Sequence, residues 1–134
     1  MNSEAHQALI ERSPYLSWLG IEILVCEPDR MEAKATWRPE WVANQKFGQT
    51  QGGILAALID FAADFALFHS LGRLVPTIDM RVDYHRMALK GDLFVSGTVI
   101  KQGKQFSVCE ASVFDESRKL IASGRGSYYT AALD

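Results

Sequence analysis

Asp60 and Asp64 are the only charged side chains between Gly53 and Phe68, a stretch otherwise built of Ile, Leu, Ala and Phe. Four residues apart, they share one face if the stretch is helical. A carboxylate among apolar neighbours must be paired, hydrogen-bonded or open to a substrate. Functional sites are where such groups collect, and the work they do there is that of a general base or a nucleophile. The structural alternative, a salt bridge or a hydrogen bond to a loop amide, applies to both and more strongly to Asp64. Two carboxylates at this spacing repel, so one of them is expected to have a raised pKa.

Gln51-Gly52-Gly53 stands just ahead of the same stretch. Paired glycines let another molecule approach the backbone closely. At a helix start, the free N–H groups and the helix dipole favour a negatively charged oxygen, such as the oxyanion of an attacked carbonyl. The alternative is that the glycines only form the tight turn into the helix. The histidines add little: His69 lies nine residues from Asp60, about 180° round a helix. His6, His69 and His85 all read as surface or helix-end residues. Arg81, His85, Arg86, Lys90, Lys101 and Lys104 cluster near expected strand ends, where they suit the phosphates of an anionic ligand such as coenzyme A. Taken singly, each also reads as ordinary solvated charge.

The elements that must position these groups follow from pattern. Residues 4–12 read as a short helix stopped by Ser13-Pro14. Residues 21–26 and 31–37 read as strands around a turn at 27–30, and 38–51 as a polar segment. Residues 52–69 are too long for a typical strand and rich in Ala and Leu, so they read as a helix, apolar on nearly every face, that must be enclosed. Ile78, Met80, Val82 and Tyr84 alternate with polar residues, the period of a strand. Residues 93–100, 107–114 and 120–129 follow as strands, separated by turns at 101–104 and 115–118. Consecutive strands with short connections favour an antiparallel sheet, and the apolar helix needs that sheet curved around it. The expected class is α+β.

Composition sets the frame. The chain has 134 residues, of which 48 % are hydrophobic and 22 % charged, with a net charge of −2. One domain, 1–134 with a short helix inside 1–14, is expected. The balanced charge argues against a nucleic-acid binder. Cys26 and Cys109 stand alone, with no CxxC and no Cys/His cluster at zinc spacing, so each reads as a small buried apolar residue. No metal or cofactor is expected. No signal-like segment opens the chain, and Asp60 and Asp64 interrupt its longest apolar run, so a soluble cytoplasmic protein with no membrane role is the expectation. Trp18, Trp37 and Trp41 are scattered and read as core or interface.

The run Asn44-Gln45-Lys46-Phe47-Gly48-Gln49-Thr50-Gln51-Gly52-Gly53, followed by the helix with Asp60, resembles the active-site segment of hotdog-fold acyl-CoA thioesterases. The likeness is to the phenylacetate-pathway type and its animal mitochondrial relatives. The run 77–84, the loop 101–104 and the run 119–125 carry it further, so that it covers residues 15–130. The resemblance implies a hotdog fold, one long helix wrapped by a curved antiparallel sheet. It implies thioester hydrolysis of an acyl- or aryl-CoA, with Asp60 as nucleophile or general base. It places the Gly52 N–H on the thioester carbonyl, Gln45 where it positions water or thioester, and Thr77 where it orients water. Gln51, Gly53 and Asp64 fall at the substrate; Tyr84, His85 and Arg86, with Lys101, Gln102, Gly103 and Lys104, fall where relatives contact coenzyme A. The family's site forms between two subunits, which implies a homodimer that pairs into a tetramer.

Two departures matter. Many members carry His where this chain has Gln51, and Gln cannot titrate. Relatives often carry Ser or Thr where this chain has Asp64. A weakly catalytic or non-catalytic hotdog protein that binds acyl-CoA-like ligands is therefore the second reading. A hotdog dehydratase is a third, weakened because no His is placed near Asp60.

Overall fold

Ser13-Pro14 ends one helix and starts another. The computed structural model describes residues 3–132; residues 1, 2, 133 and 134 of the expected single domain, two of them within the expected N-terminal helical segment, lie outside the described part. Helix α1 spans Ser3–Arg12 and helix α2 spans Pro14–Trp18. The Ser13 hydroxyl accepts the Leu16 N–H at 3.3 Å, and Pro14 takes the first helical position, where a missing N–H costs nothing. The sequence reading had only the stop. Gln7 of α1 then bonds an exposed sheet edge: its amide accepts from Ile23 N–H at 2.9 Å and donates to the Ile21 carbonyl at 3.2 Å.

Strands β1, Ile21–Glu27, and β2, Arg30–Ala35, form a hairpin. The polar segment 38–51 has structure of its own. It contains a short helical turn at Pro39–Trp41 and a small hairpin of β3, Val42–Asn44, with β4, Gln49–Thr50. Helix α3 follows as Gly52–Leu71 and closes on Gly72, whose φ of 71° suits glycine and whose N–H donates to the Phe68 carbonyl at 2.8 Å. Strands β5, Thr77–Tyr84, β6, Leu93–Gln102, β7, Phe106–Phe114, and β8, Leu120–Tyr129, complete the chain. Lys101 and Gln102 therefore belong to a strand rather than to a turn.

The main sheet has the order β1-β2-β6-β7-β8-β5, and every neighbouring pair is antiparallel. Helix α3 touches all six strands, as the hotdog arrangement requires. Eleven of its residues are buried, from Ile54 to Phe68. By length and hydropathy alone α3 would suffice to cross a membrane, but those eleven side chains are enclosed by the rest of the chain. Glycines on the sheet let the helix come close. A Cβ at Gly97 would overlap the Ala62 carbonyl, and one at Gly124 would lie 2.9 Å from Ile59 Cγ2.

One stripe of α3 stays uncovered or only half covered: Gly53, Ala56, Ala57, Asp60 and Asp64, at three- and four-residue spacing. Strand β5 runs beside it at the sheet edge. Its apolar row is not buried as the alternation suggests: Ile78 is 50 % exposed and Tyr84 54 %, while Met80 and Val82 are half-buried. An edge strand is covered on fewer sides than its pattern implies. His6 departs from expectation the other way. It is fully buried, its ring edge-on to Phe68 at 4.6 Å between centroids.

Candidate active site

Asp60 sits at the middle of α3, half-buried, and receives two hydroxyl groups. Thr77 Oγ1 donates to Asp60 Oδ1 at 2.8 Å, and the Tyr128 hydroxyl donates to the same oxygen at 3.1 Å. The two donors come from neighbouring strands, where Thr77 and Tyr128 are direct partners in the β5–β8 register. One cross-strand pair therefore positions one carboxylate. Tyr128 is fully buried. Burial, and then the charge of Asp60, push its hydroxyl pKa up, so it stays protonated and remains a donor.

Asp64, one turn on, is held differently. The Val75 N–H donates to Asp64 Oδ1 at 3.2 Å. Its pKa rises from 3.8 to about 7, chiefly through burial; Asp60 adds a smaller upward push, and the Val75 N–H opposes both. The expected shift is present, but desolvation outranks repulsion as its cause. The loop-amide alternative is what the structure shows for Asp64. Behind it, burial and the charge of Asp64 push the Cys109 thiol up to about 12, which keeps that buried group an unreactive thiol.

The start of α3 opens onto a cleft of about 640 Å³. Gln51, Gly52, Gly53, Tyr84, His85 and Arg86 all line it. The Tyr84 hydroxyl donates to the Gly52 carbonyl at 3.0 Å. The backbone N–H groups of His85 and Arg86 both donate to the Ile121 carbonyl, at 2.8 and 3.2 Å, which ties the end of β5 to β8. His85 Nε2 lies 2.8 Å from Ser123 Oγ. Six of the predicted residues thus meet around the helix N-terminus, where first-turn N–H groups and the dipole favour an anion.

Other predicted residues lie elsewhere. Gln45 is exposed in the turn between β3 and β4. Lys101, Gln102, Gly103 and Lys104 gather at the opposite end of α3, where Ser70 Oγ donates to Gln102 Oε1 at 2.8 Å and Gly103 bonds Ser107 and Thr130. Ser70 is 18 residues from Gly52, about 27 Å along the helix. A single chain therefore splits the expected coenzyme A contacts into two sets. Gly52 and Asp60 are themselves eight residues apart, about 12 Å along the axis. Sequence reasoning missed Tyr128, although Gly126 before it on the same face was a trace: a Cβ there would lie 2.8 Å from the Tyr128 ring.

The thioesterase superfamily model matches residues 47–122, which include Gly52, Asp60, Thr77 and the Tyr84–Arg86 cleft. The chain belongs to the thioesterase superfamily. A protein of Halobacterium salinarum, named provisionally as an esterase, is 31 % identical over 91 % of this chain and 87 % of its own length. A crystal structure from the thioesterase superfamily is 41 % identical, with a TM-score of 0.92 over 95 % of this chain and 96 % of that one. The Escherichia coli PaaI protein, from the phenylacetic acid degradation operon, is 22 % identical with a TM-score of 0.86 over 96 % of this chain and 92 % of its own, a likeness of fold. A thioesterase-superfamily chain of this kind is a hydrolase of thioester type, and its hydroxyl-held carboxylate is suited to activate water or attack a carbonyl.

Proposed function

We propose that the chain hydrolyses the thioester of an acyl- or aryl-coenzyme A to the free acid and coenzyme A. The observation that carries this reading is Asp60: a half-buried carboxylate with one oxygen fixed by Thr77 and Tyr128, on the uncovered stripe of α3. Its other oxygen is the one to take a proton from water or to attack the thioester carbonyl. In the first route water adds to the carbonyl; in the second an anhydride forms and is hydrolysed. Both expel the coenzyme A thiolate.

The oxyanion needs a donor about 3 Å away. Gly52 of the same chain lies about 12 Å further along the helix and cannot serve Asp60 of its own copy. We therefore assign each site to two copies: Asp60, Thr77 and Tyr128 from one, and Gly52 with its Tyr84–Arg86 cleft from the other. The half-exposed apolar row of edge strand β5 supports such pairing. Further pairing of dimers into a tetramer is part of the same proposal. The dehydratase reading gains nothing from His69, which lies against Cys26, and His85, although in the assigned cleft, has its Nε2 2.8 Å from Ser123 Oγ.

Thiol release from short-chain, long-chain and aryl-coenzyme A esters tests the reaction, and the best ester defines the acyl group. Binding of these esters without turnover would leave the non-catalytic reading in its place. Subunit mixing tests the shared site. Asp60→Asn and Gly52→Pro, which removes the N–H at a helical position that tolerates Pro, are each expected to be inactive. Random re-pairing of the two puts both lesions in one site of each mixed dimer and restores about a quarter of wild-type activity. No recovery in demonstrably mixed dimers overturns the shared site without touching the reaction.

A further inference from the structure

Three ligand-type side chains from three elements converge near the C-terminal end of α3. His6 lies on α1, Cys26 on β1, and His69 three residues before the Gly72 cap. Cys26 Sγ is 3.4 Å from Nδ1 and 3.3 Å from Nε2 of His6, and 3.5 Å from Nδ1 of His69. One ligand atom from each residue lies within 4.8 Å of the other two. None of this belongs to the site at Asp60, which is nine residues back along α3 and on the opposite face.

The geometry and the donor set both point to a metal ion. A tetrahedral ion with sulfur at about 2.3 Å and imidazole nitrogen at about 2.1 Å has sulfur–nitrogen edges of about 3.6 Å. The observed separations are within a few tenths of an ångström of that. A neutral thiol here donates to one imidazole and accepts from the other, and on losing its proton the same sulfur joins the two rings as a ligand set for an ion. Sγ is nearly equidistant from the two His6 nitrogens, at 3.4 and 3.3 Å, so coordination by one of them requires the ring to turn about χ2. The Phe68 ring and the tilted Phe65 ring, 6.0 Å away, surround His6 with apolar surface. Cys26 and His69 are only partly buried, which leaves an access route. Two imidazoles and a thiolate suit a borderline-soft transition ion, and they lack the oxygen ligands that magnesium or calcium require.

We propose that His6, Cys26 and His69 bind a divalent ion of the zinc class, which fastens α1 to β1 and to the end of α3. Binding releases the Cys26 thiol proton to solvent as the metal–sulfur bond forms. The fourth position is left to water or an external ligand. The ion is structural, far from the reacting carbonyl.

The test uses the full chain, stripped with a chelator and titrated with cobalt(II) and then zinc. One equivalent of cobalt(II) is expected to give a thiolate-to-cobalt charge-transfer band with tetrahedral visible absorption. Zinc is expected to displace the cobalt and raise Tm by roughly 10 °C when present at a hundredfold excess over Kd. Cys26→Ser abolishes the charge-transfer band. His69→Gln keeps the thiolate but weakens cobalt binding by about a hundredfold or more. Both positions are partly exposed, and the His69 variant decides the matter if the Cys26 variant folds poorly. Absence of the band at stoichiometric cobalt, its survival in Cys26→Ser, or binding of copper(I) but of neither divalent ion each overturns the proposal.

Discussion

Around Asp60 the neighbours are two side-chain hydroxyls from strands β5 and β8; around Asp64, one turn later on the same helix face, the neighbour is a backbone amide from the loop leading into β5. The two residues have the same charge and the same helical setting. What differs is what surrounds them. Asp64 is the one whose carboxylate form is resisted, because burial takes away water and a single amide gives back little. Asp60 has two donors on one oxygen and open space beside the uncovered stripe. A shared residue type on a shared face therefore does not imply a shared role. The donors divide the pair, two side-chain hydroxyls on Asp60 against one loop amide on Asp64, which fits the proposed substrate role of the first and a structural role of the second.

Replacing the two in turn gives the largest contrast. Asp60→Asn is expected to lower kcat about a hundredfold to ten-thousandfold, the scale of losing a general base. Asn retains an acceptor for both hydroxyls, so the fold is kept. Asp64→Asn is expected to change kcat by less than about tenfold, because its partner is the loop amide rather than the reacting group. Equal losses in steady-state assays would break the division and bring Asp64 into the chemistry.

Stability against pH separates them next. The folded-state pKa of Asp64 is about 7 against an ordinary 3.8. Between those values the folded chain holds a proton that the unfolded chain has released, so stability falls as pH rises. The contribution is complete below about pH 4, is lost through about pH 7, and is flat above it. A shift of this size amounts to at most about 4 kcal/mol. Asp64→Asn removes the slope and still accepts the Val75 N–H. Denaturant melts are expected to show the variant more stable than wild type at pH 8 and similar at pH 4. Carbon-13 titration of the carboxyls reads the same group directly, and an ordinary pKa at Asp64 would contradict its burial as the cause.

The hydroxyls that set Asp60 apart come third. Thr77→Val and Tyr128→Phe each remove one hydrogen bond to a charged group, an interaction of about 1.5 to 3 kcal/mol. Each is expected to lower kcat/KM by about tenfold or somewhat more, since the carboxylate loses a donor that fixes it. Thr77→Ser restores the donor and should recover most of the loss. A flat response to both variants would mean that the register pair holds the strands together and does not tune the carboxylate.

The legible and the hidden parts of this molecule divide on sequence distance. Helix α3 was readable because no face of it is polar enough for water, and β5 to β8 because period two and short turns are local signals. The small β3–β4 hairpin was not, since its exposed residues show no alternation. Asp60 stood out as a charge in an apolar stretch and Thr77 came from family resemblance, and the structure joins the two by a direct hydrogen bond. Tyr128, 68 residues from Asp60, reads as an ordinary strand residue until the sheet is closed. His6, Cys26 and His69 have no spacing that marks a ligand set, because three elements must first fold together. The run Lys101–Lys104 has a composition that suits phosphate, and within one chain the sheet carries it to the far end of α3 from the Gly52 cleft, a placement no local pattern reveals.

Tyr84 makes the smallest and most discriminating variant. Its hydroxyl donates to the Gly52 carbonyl at 3.0 Å and so ties the last residue of an edge strand to the first turn of α3. Tyr84 is 54 % exposed, so water replaces much of what Phe removes. The stability lost in Tyr84→Phe is expected to be about 1 kcal/mol or less, a Tm change of a few degrees. Its effect on catalysis depends on which side of the division the hydroxyl belongs to. If it only braces the cleft at the helix start, substrate binding loosens and KM rises about threefold while kcat holds, the pattern of lost uniform binding. If kcat falls by about tenfold with KM unchanged, the hydroxyl acts in the transition state, through the Gly52 backbone proposed to stabilise the oxyanion. The tuned region would then extend past the two donors on Asp60 to the helix start of the partner copy, with Asp64 standing outside it.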